Sequence, residues 1–156
     1  MNATMADVGR AHVVAACIAM AVGMAVLVRR KGDPRHARLG RLYVAAMLVV
    51  NLSVLGVYEA TGQPGAFHVL AVVSIVTTGL GWLSLQGRGR ANRAVEAHAS
   101  FMTWSWIGVV TAGLAQAATH QWPEQSPWPV VFVVGLAIAT GSVCVPRFVS
   151  RQLRRQ

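Results

Sequence analysis

The sequence predicts an all-α integral membrane protein: an antiparallel four-helix bundle plus a fifth, peripheral transmembrane helix. Of its 156 residues, 54% are hydrophobic and only 12% are charged, which is too apolar for an ordinary soluble domain. Apolar segments use up most of the length, so little remains for a separate soluble domain. All but one of the basic residues lie in short stretches between or after these segments, as in proteins that cross a membrane several times.

Five apolar segments predict five spans in a single transmembrane domain covering residues 1–156. Each approaches the ~20 apolar residues that a helix needs to cross a bilayer. Asp33 and Pro34 precede the second span as a helix N-cap and a first helical residue. Residues 61–65 (TGQPG) predict a tight turn before the third span. The predicted spans are approximately residues 11–28, 36–60, 66–85, 97–118 and 130–146.

The positions of the basic residues predict the orientation. Thirteen of the 14 Lys and Arg residues lie in three stretches, Arg29–Arg41, Arg88–Arg93 and Arg147–Arg155. These stretches are alternate connections plus the C-terminal tail, and the positive-inside rule places them in the cytoplasm. We therefore expect a multi-pass protein of the bacterial cytoplasmic (inner) membrane, with its N-terminus outside and its C-terminus in the cytoplasm.

The net charge of +9 follows from the same distribution. No base-stacking or groove-reading element accompanies it, so no nucleic-acid partner is expected. The sequence contains no P-loop, Rossmann fingerprint or HExxH motif, which leaves nucleotide-driven and hydrolytic functions without support. The lipid bilayer is the expected partner, and a homodimer or a larger membrane complex is left open.

Four of the five histidines stand at the ends of four different predicted helices. His12 and His68 begin the first and third spans on the outer side. His36 and His98 begin the second helix and the fourth span on the inner side. Ionisable residues in or near a membrane are costly and usually functional. In an up-down four-helix bundle the first and third helices are diagonal, as are the second and fourth, so each pair is expected to face across the bundle axis.

Diagonal histidine pairs suit a b-type haem, whose iron takes one axial nitrogen from each side of the macrocycle. We therefore interpret His12 and His68 as ligands of an outer haem b, and His36 and His98 as ligands of an inner one. On this interpretation the protein is a transmembrane b-type cytochrome that passes electrons across the membrane. Quinol or a redox protein is the candidate donor or acceptor. No catalytic residue is predicted, and an oxidoreductase activity is left open.

Two other interpretations of the histidines stay open. Imidazole and carboxylate groups suit Zn, Cu or Fe ions, so His12, His68 and Glu59 could form the outer site of a non-enzymatic metal-binding or transport protein. Alternatively, the protein is a cofactor-free accessory or assembly subunit, and its histidines are polar residues at the membrane boundary. His120, in the outer connection before the fifth span, is interpreted in that last way.

Helical spacing from each histidine predicts the inward face of its helix. These stripes are Ala16, Ala19 and Gly23 below His12; Gly40, Tyr43, Met47 and Asn51 below His36; Val72, Ile75, Gly79 and Trp82 below His68; and Met102, Ser105, Val109, Ala112 and Gln116 below His98. Small residues within spans let helices approach closely, and polar residues there form bonds between helices. We expect close approach of helices at Gly23, Gly79, Gly135 and Gly141. We expect hydrogen bonds between helices from Asn51, Ser105 and Gln116.

Three runs of sequence resemble one family of small bacterial membrane proteins. RRKGDPRHARLGRLYVAAML (29–48) resembles the basic-Lys-Gly…His…Gly…Tyr segment of the domain of unknown function 2306 family. FHVLAVVSIVTTGLGWLSLQGR (67–88) and HASFMTWSWIGVVTAG (98–113) resemble its third and fourth spans, and His12 matches its first-helix histidine. Gln116 stands where many members carry an acidic residue followed by arginine. The family implies no activity, whereas the similar architecture of cytochrome b561-like and ferric-reductase-like bundles implies two haems on diagonal histidine pairs.

Overall fold

A computed structural model of the chain describes residues 3–29, 32–61, 66–86, 92–121 and 128–154. The described residues form five helices and no strand, which confirms the all-α prediction. The helices are α1 (Ala3–Val28), α2 (Pro34–Thr61), α3 (Ala66–Leu83), α4 (Asn92–Gln121) and α5 (Trp128–Leu153).

Three helices, α1, α4 and α5, extend clearly beyond the predicted spans, because hydropathy marks the lipid-crossing part of a helix and not its ends. The first, α1, begins at Ala3 instead of near residue 11, and its first turns include an exposed ion pair between Arg10 and Asp7 at 3.3 Å. The fifth, α5, continues through Pro146 to Leu153. Val145 and Val149 are buried on either side of the proline, so packing holds the helix together where one backbone hydrogen bond is lost.

The start of α2 is the predicted capped turn. The Asp33 carboxylate accepts a hydrogen bond from the backbone N–H of Arg35 at 2.9 Å, and Pro34 is the first helical residue. Just before it, Gly32 has a φ of 85°, in the left-handed region that residues with a side chain rarely adopt. A short connection between α1 and α2 therefore depends on glycine at this position.

Three of the described helices are long and apolar enough to cross a membrane, over Ala6–Val28, Pro34–Gly56 and Trp128–Leu153. A shorter apolar helix covers His68–Leu83. The helix α4 is long, but its middle buries the polar side chains of Thr103, Ser105 and Thr111, which lowers its hydropathy. Crossing of the membrane by α3 and α4 stays a prediction.

The distribution of exposed and buried side chains in these helices differs from that in a soluble protein. Large apolar side chains are exposed along the helices, including Val14 at 59%, Leu52 at 62% and Phe132 at 71%. Beside the buried apolar residues, five polar side chains are buried among the described residues: Asn51, Thr78, Thr103, Ser105 and Thr111. Lipid covers apolar side chains without cost, whereas polar groups in a membrane face the protein interior. The structure is that of a membrane protein.

The chain forms two compact units, Met1–Thr78 and Gly79–Gln156. In the first unit α1 packs along α2, and in the second α4 packs along α5. In the second unit α5 approaches α4 closely at Gly141, where an added methyl group would lie 2.5 Å from Cη2 of Trp104. A methyl group at Gly135 would meet nothing within 4 Å. Of the two glycines predicted to bring α5 close to a neighbour, Gly141 does so and Gly135 does not, among the described residues.

Candidate cofactor-binding histidines

The four candidate histidines all lie on the buried face of their own helix, and each is itself half-buried. Residues three to eleven positions further along each helix, at helical spacing, are buried. They are Ala15 and Ala19 after His12, Tyr43 and Met47 after His36, Ala71 and Thr78 after His68, and Ser105 and Val109 after His98. The histidines therefore face the protein and not the lipid.

The inward face of α3 differs from the predicted one. Val72 and Trp82 were expected to face inwards, but they are 53% and 40% exposed, whereas Ala71 and Thr78 are buried. Steps of three and of four residues from His68 both agree with a helical period of 3.6, so spacing alone does not choose between Ala71 and Val72. In the other three helices the predicted stripes are buried at Ala19, at Tyr43, Met47 and Asn51, and at Ser105 and Val109. Gln116 was also expected to face inwards but is exposed.

The ring of His12 is held by a serine of the neighbouring helix. Its Nδ1 atom lies 2.8 Å from Oγ of Ser53, and Ser53 donates its hydroxyl hydrogen to the carbonyl of Val50 at 2.8 Å. A hydroxyl has a single hydrogen, so Ser53 accepts from Nδ1–H of His12. In the neutral ring the lone pair then resides on Nε2, which is the nitrogen able to ligate iron or another metal.

The ring of His98 is held by the end of α3. Its Nδ1 atom lies 2.7 Å from the carbonyl oxygen of Gly81, and a carbonyl can only accept, so Nδ1 carries the hydrogen. Gly81 belongs to the last turn of α3, whose carbonyls have no partner within the helix. An added methyl group at Gly81 would lie 2.8 Å from Sδ of Met102, so glycine allows α4 to approach. The lone pair of neutral His98 resides on Nε2.

Ser53 and Gly81 were both missed by the sequence analysis, which expected close approach at Gly79. An added methyl group at Gly79 would meet nothing within 4 Å. The lengths of α1 and α2 could have indicated Ser53. His12 lies sixteen residues before the end of α1 at Val28, and Val50 lies sixteen residues after the start of α2. His12 is therefore level with Val50, whose carbonyl accepts the hydrogen of Ser53.

The other two histidines also place a ring nitrogen in the interior: Nδ1 of His36 and Nε2 of His68 are buried. His12 and His68, the predicted outer pair, both belong to the first unit. The predicted inner pair is divided, with His36 in the first unit and His98 in the second. Ligation by either pair stays a prediction.

The metal interpretation has no further residue to support it in the described part of the chain. There, no group of three or more His, Cys, Asp or Glu side chains is arranged to hold a metal ion. The side chains of Glu59 and His120 lie outside the described residues, so the predicted set of His12, His68 and Glu59 is untested.

Asn51 joins two helices of the first unit by a hydrogen bond, as the sequence predicted. Its amide donates to Oγ of Ser74 at 3.2 Å, which links α2 to α3 and confirms that prediction. In the second unit, the hydroxyl of Ser105 donates to the carbonyl of Met102 in its own helix at 2.9 Å.

Comparison with known proteins identifies a family but no activity. The family model described as Predicted membrane protein (DUF2306) matches residues 9–149, a range that contains all four candidate histidines together with Ser53 and Gly81. No curated protein and no solved structure matches the chain.

Proposed function

Because this chain belongs to the DUF2306 family of predicted membrane proteins, whose description names no activity, we propose a function from its histidines: a transmembrane b-type cytochrome that passes electrons across the bilayer. The observation that carries this proposal is the pair of hydrogen bonds at Nδ1 of His12 and of His98. Both bonds direct Nε2 to act as the ligand nitrogen.

Ligand histidines in metalloproteins donate their second ring N–H to a protein oxygen, which selects the tautomer, orients the ring and raises its basicity. The oxygen atoms of Ser53 and Gly81 occupy that role for His12 and His98. Bound haem would supply one-electron chemistry, tuned by its axial ligands and their hydrogen bonds.

The proposed ligands are His12 and His68 for an outer haem and His36 and His98 for an inner one. Small residues beside the rings favour the entry of a flat macrocycle: Ala15 and Ala19 follow His12 on its buried face. A methyl group added at Gly40, one turn after His36, would meet nothing within 4 Å. The proposal includes five spans in the bacterial cytoplasmic membrane and an electron donor or acceptor that is quinol or a redox protein.

The test begins with the full-length protein, purified in detergent and incubated with haem to replace any lost during purification. The spectrum of the dithionite-reduced protein minus that of the oxidised protein should show the sharp α band of a b-type haem. A pyridine haemochrome assay then gives the haem content per chain. A reconstituted protein without that band contradicts the proposal.

Four single substitutions assign the ligands. Replacing His12 or His68 with alanine should remove the outer haem, and replacing His36 or His98 should remove the inner one, so each variant keeps about half of the haem. His120→Ala is the control and should keep all of it. If the four variants bind as much haem as the control, these histidines are not the ligands.

Elemental analysis of the same samples separates the other interpretations. Stoichiometric Zn, Cu or Fe without porphyrin would support a metal-binding protein, because the Nδ1 bonds of His12 and His98 orient a metal ligand equally well. Neither metal nor porphyrin would indicate an accessory or assembly subunit.

A further inference from the structure

Thr78 is a buried residue of α3 whose hydroxyl has no hydrogen-bond partner among the described residues. The residue is only 4% exposed. It lies one helical turn after Ser74, on the same face, and Ser74 accepts a hydrogen bond from the amide of Asn51. Asn51 is itself 3% exposed. Asn51 and Thr78 are therefore buried, and Ser74, which bonds to the first and precedes the second by one turn, is half-buried.

Thr78 behaves differently from the other threonines whose side chains the structure describes. Each of those donates its hydroxyl hydrogen to the carbonyl four residues earlier: Thr77 to Val73, Thr103 to Ala99, Thr111 to Ile107 and Thr140 to Leu136. For Thr78 that carbonyl belongs to Ser74. It also lies 3.1 Å from the hydroxyl of Thr77, whose single hydrogen has its shorter contact with Val73, at 2.9 Å. Thr78 makes no such bond among the described residues, so its hydroxyl is available to a ligand in the interior.

A buried hydroxyl without a partner is destabilising in any protein interior. If α3 crosses the bilayer as predicted, the cost is greater, since no bulk water is present to satisfy the group. Valine has the same shape as threonine and would fill the space without that cost. A threonine at this position is therefore explained if its hydroxyl binds something that neither α3 nor its described neighbours provide.

We propose that Thr78, Ser74 and Asn51 bind one buried water molecule. A water that bonds two oxygens at ~2.8 Å from each can join atoms up to about 5.6 Å apart, and side chains four residues apart on a helix are separated by about 5–6 Å. A buried water makes about three hydrogen bonds, which the two hydroxyls and the amide supply. None of these three side chains is ionisable, so no protein charge would offset that of a buried ion, and a neutral water is the ligand that we propose.

The sign of a stability change tests this site. If water satisfies the hydroxyl, Thr78→Val removes a stabilising bond and should lower the unfolding temperature of the full-length protein in detergent. If nothing is bound, the same substitution removes a buried group without a partner and should raise it. Thr103→Val is the matched control: Thr103 is 7% exposed and bonds to its own helix, so its loss should change the temperature little.

Infrared difference spectra detect the water directly. Exchange of H₂¹⁶O for H₂¹⁸O should shift a narrow O–H band of an internal water in the wild-type protein and in Thr103→Val. The band should be missing from Thr78→Val and present in Thr78→Ser, which keeps the hydroxyl and serves if the valine variant does not fold. If the wild-type protein lacks the band, the proposal is overturned whatever the change in unfolding temperature. The proposal is also overturned if the band is still present in Thr78→Val. The measurement needs no haem, so it is independent of the proposed cytochrome function.

Discussion

The Nδ1 atom of His12 donates to Oγ of Ser53 across 2.8 Å, and this bond joins α1 to α2 at the level of a candidate haem ligand. Ser53 donates its hydroxyl hydrogen to the carbonyl of Val50 at 2.8 Å, so the backbone of α2 leaves Ser53 only the role of acceptor towards His12. A serine one turn after a helical carbonyl thereby determines which nitrogen of a histidine on another helix can bind a cofactor.

Ser53→Ala should weaken binding of the outer haem by about 10–100-fold, the usual effect of removing the hydrogen-bond partner of a metal-ligating histidine. Without the acceptor, His12 is free to adopt either tautomer and to rotate. Haem titration of the purified protein, followed by its absorbance, measures the change. Ser53→Thr keeps the hydroxyl and should bind haem as the wild type does.

Ser142→Ala is the control for the removal of a serine hydroxyl. Ser142 is an exposed residue of α5 and donates only to the carbonyl of Ile138 in its own helix, at 2.8 Å, so its loss should leave haem binding unchanged. Equal haem affinities for Ser53→Ala and Ser142→Ala would show that the bond to Ser53 does not prepare His12 for ligation.

Gly81→Ala should perturb the inner haem, whereas Gly79→Ala should not. The added methyl group at Gly81 would lie 2.8 Å from Sδ of Met102 and 3.2 Å from Cβ of Phe101, while one at Gly79 would meet nothing within 4 Å. To relieve this overlap the Met102 side chain rotates or α4 moves away from the end of α3, and the expected change in the haem comes from the second movement, which lengthens the bond from His98 to Gly81. The reduction potential of each haem, measured by a spectroelectrochemical titration, is the readout. Two variants with identical titrations would contradict the expectation.

The helices themselves were predictable from the sequence because their signals are local. Pro34 begins α2 and Asp33 caps it, as their residue types require. The pattern of apolar residues also identified Tyr43, Met47 and Asn51 as the buried face of α2. Each of these conclusions depends on one helix and its own first turn.

Contacts between helices were less predictable, because they depend on the axial and rotational register of two segments. On α3 the buried residue is Ala71, one position away from the predicted Val72. The glycine at the close approach is Gly81, two positions away from the predicted Gly79. The partner of His12 required the register of α1 against α2. The unpaired hydroxyl of Thr78 could not be inferred at all, because Thr103 and Thr111 bond to their own helix and no local signal in the sequence distinguishes Thr78 from them.

Gly141→Ala should destabilise the contact between α4 and α5. The new methyl group would lie 2.5 Å from Cη2 of Trp104, and overpacking of this kind costs typically about 1–3 kcal/mol. Gly135→Ala has open space and should instead gain up to about 1 kcal/mol from the higher helix propensity of alanine. Thermal unfolding in detergent, followed by tryptophan fluorescence, compares the two. The same sign of change for both variants would be inconsistent with close packing at Gly141.

The number of spans can be decided at a single exposed position, Arg93. If all five helices cross the membrane, Arg93 at the start of α4 faces the cytoplasm. If only α1, α2 and α5 cross, the same position lies outside, because α2 ends on the outer side and α3 and α4 do not return the chain. Three helices meet the length and hydropathy needed for a span, whereas the basic residues Arg88, Arg90 and Arg93 favour the cytoplasm for this connection.

We expect a single cysteine in place of Arg93 to react with a membrane-impermeant maleimide in inverted vesicles and not in intact spheroplasts. Cys17 and Cys144 are exposed on their helices and are first replaced by serine. Asp7→Cys and Arg154→Cys in the same background are the controls. With the N-terminus outside, both the three-span and the five-span arrangement place residue 7 outside and residue 154 in the cytoplasm, so the two controls calibrate the sidedness of each preparation. Labelling of residue 93 in spheroplasts, with the controls behaving as expected, would show that α3 and α4 do not cross. His36 and His98 would then lie on opposite sides of the membrane and could not share an inner haem.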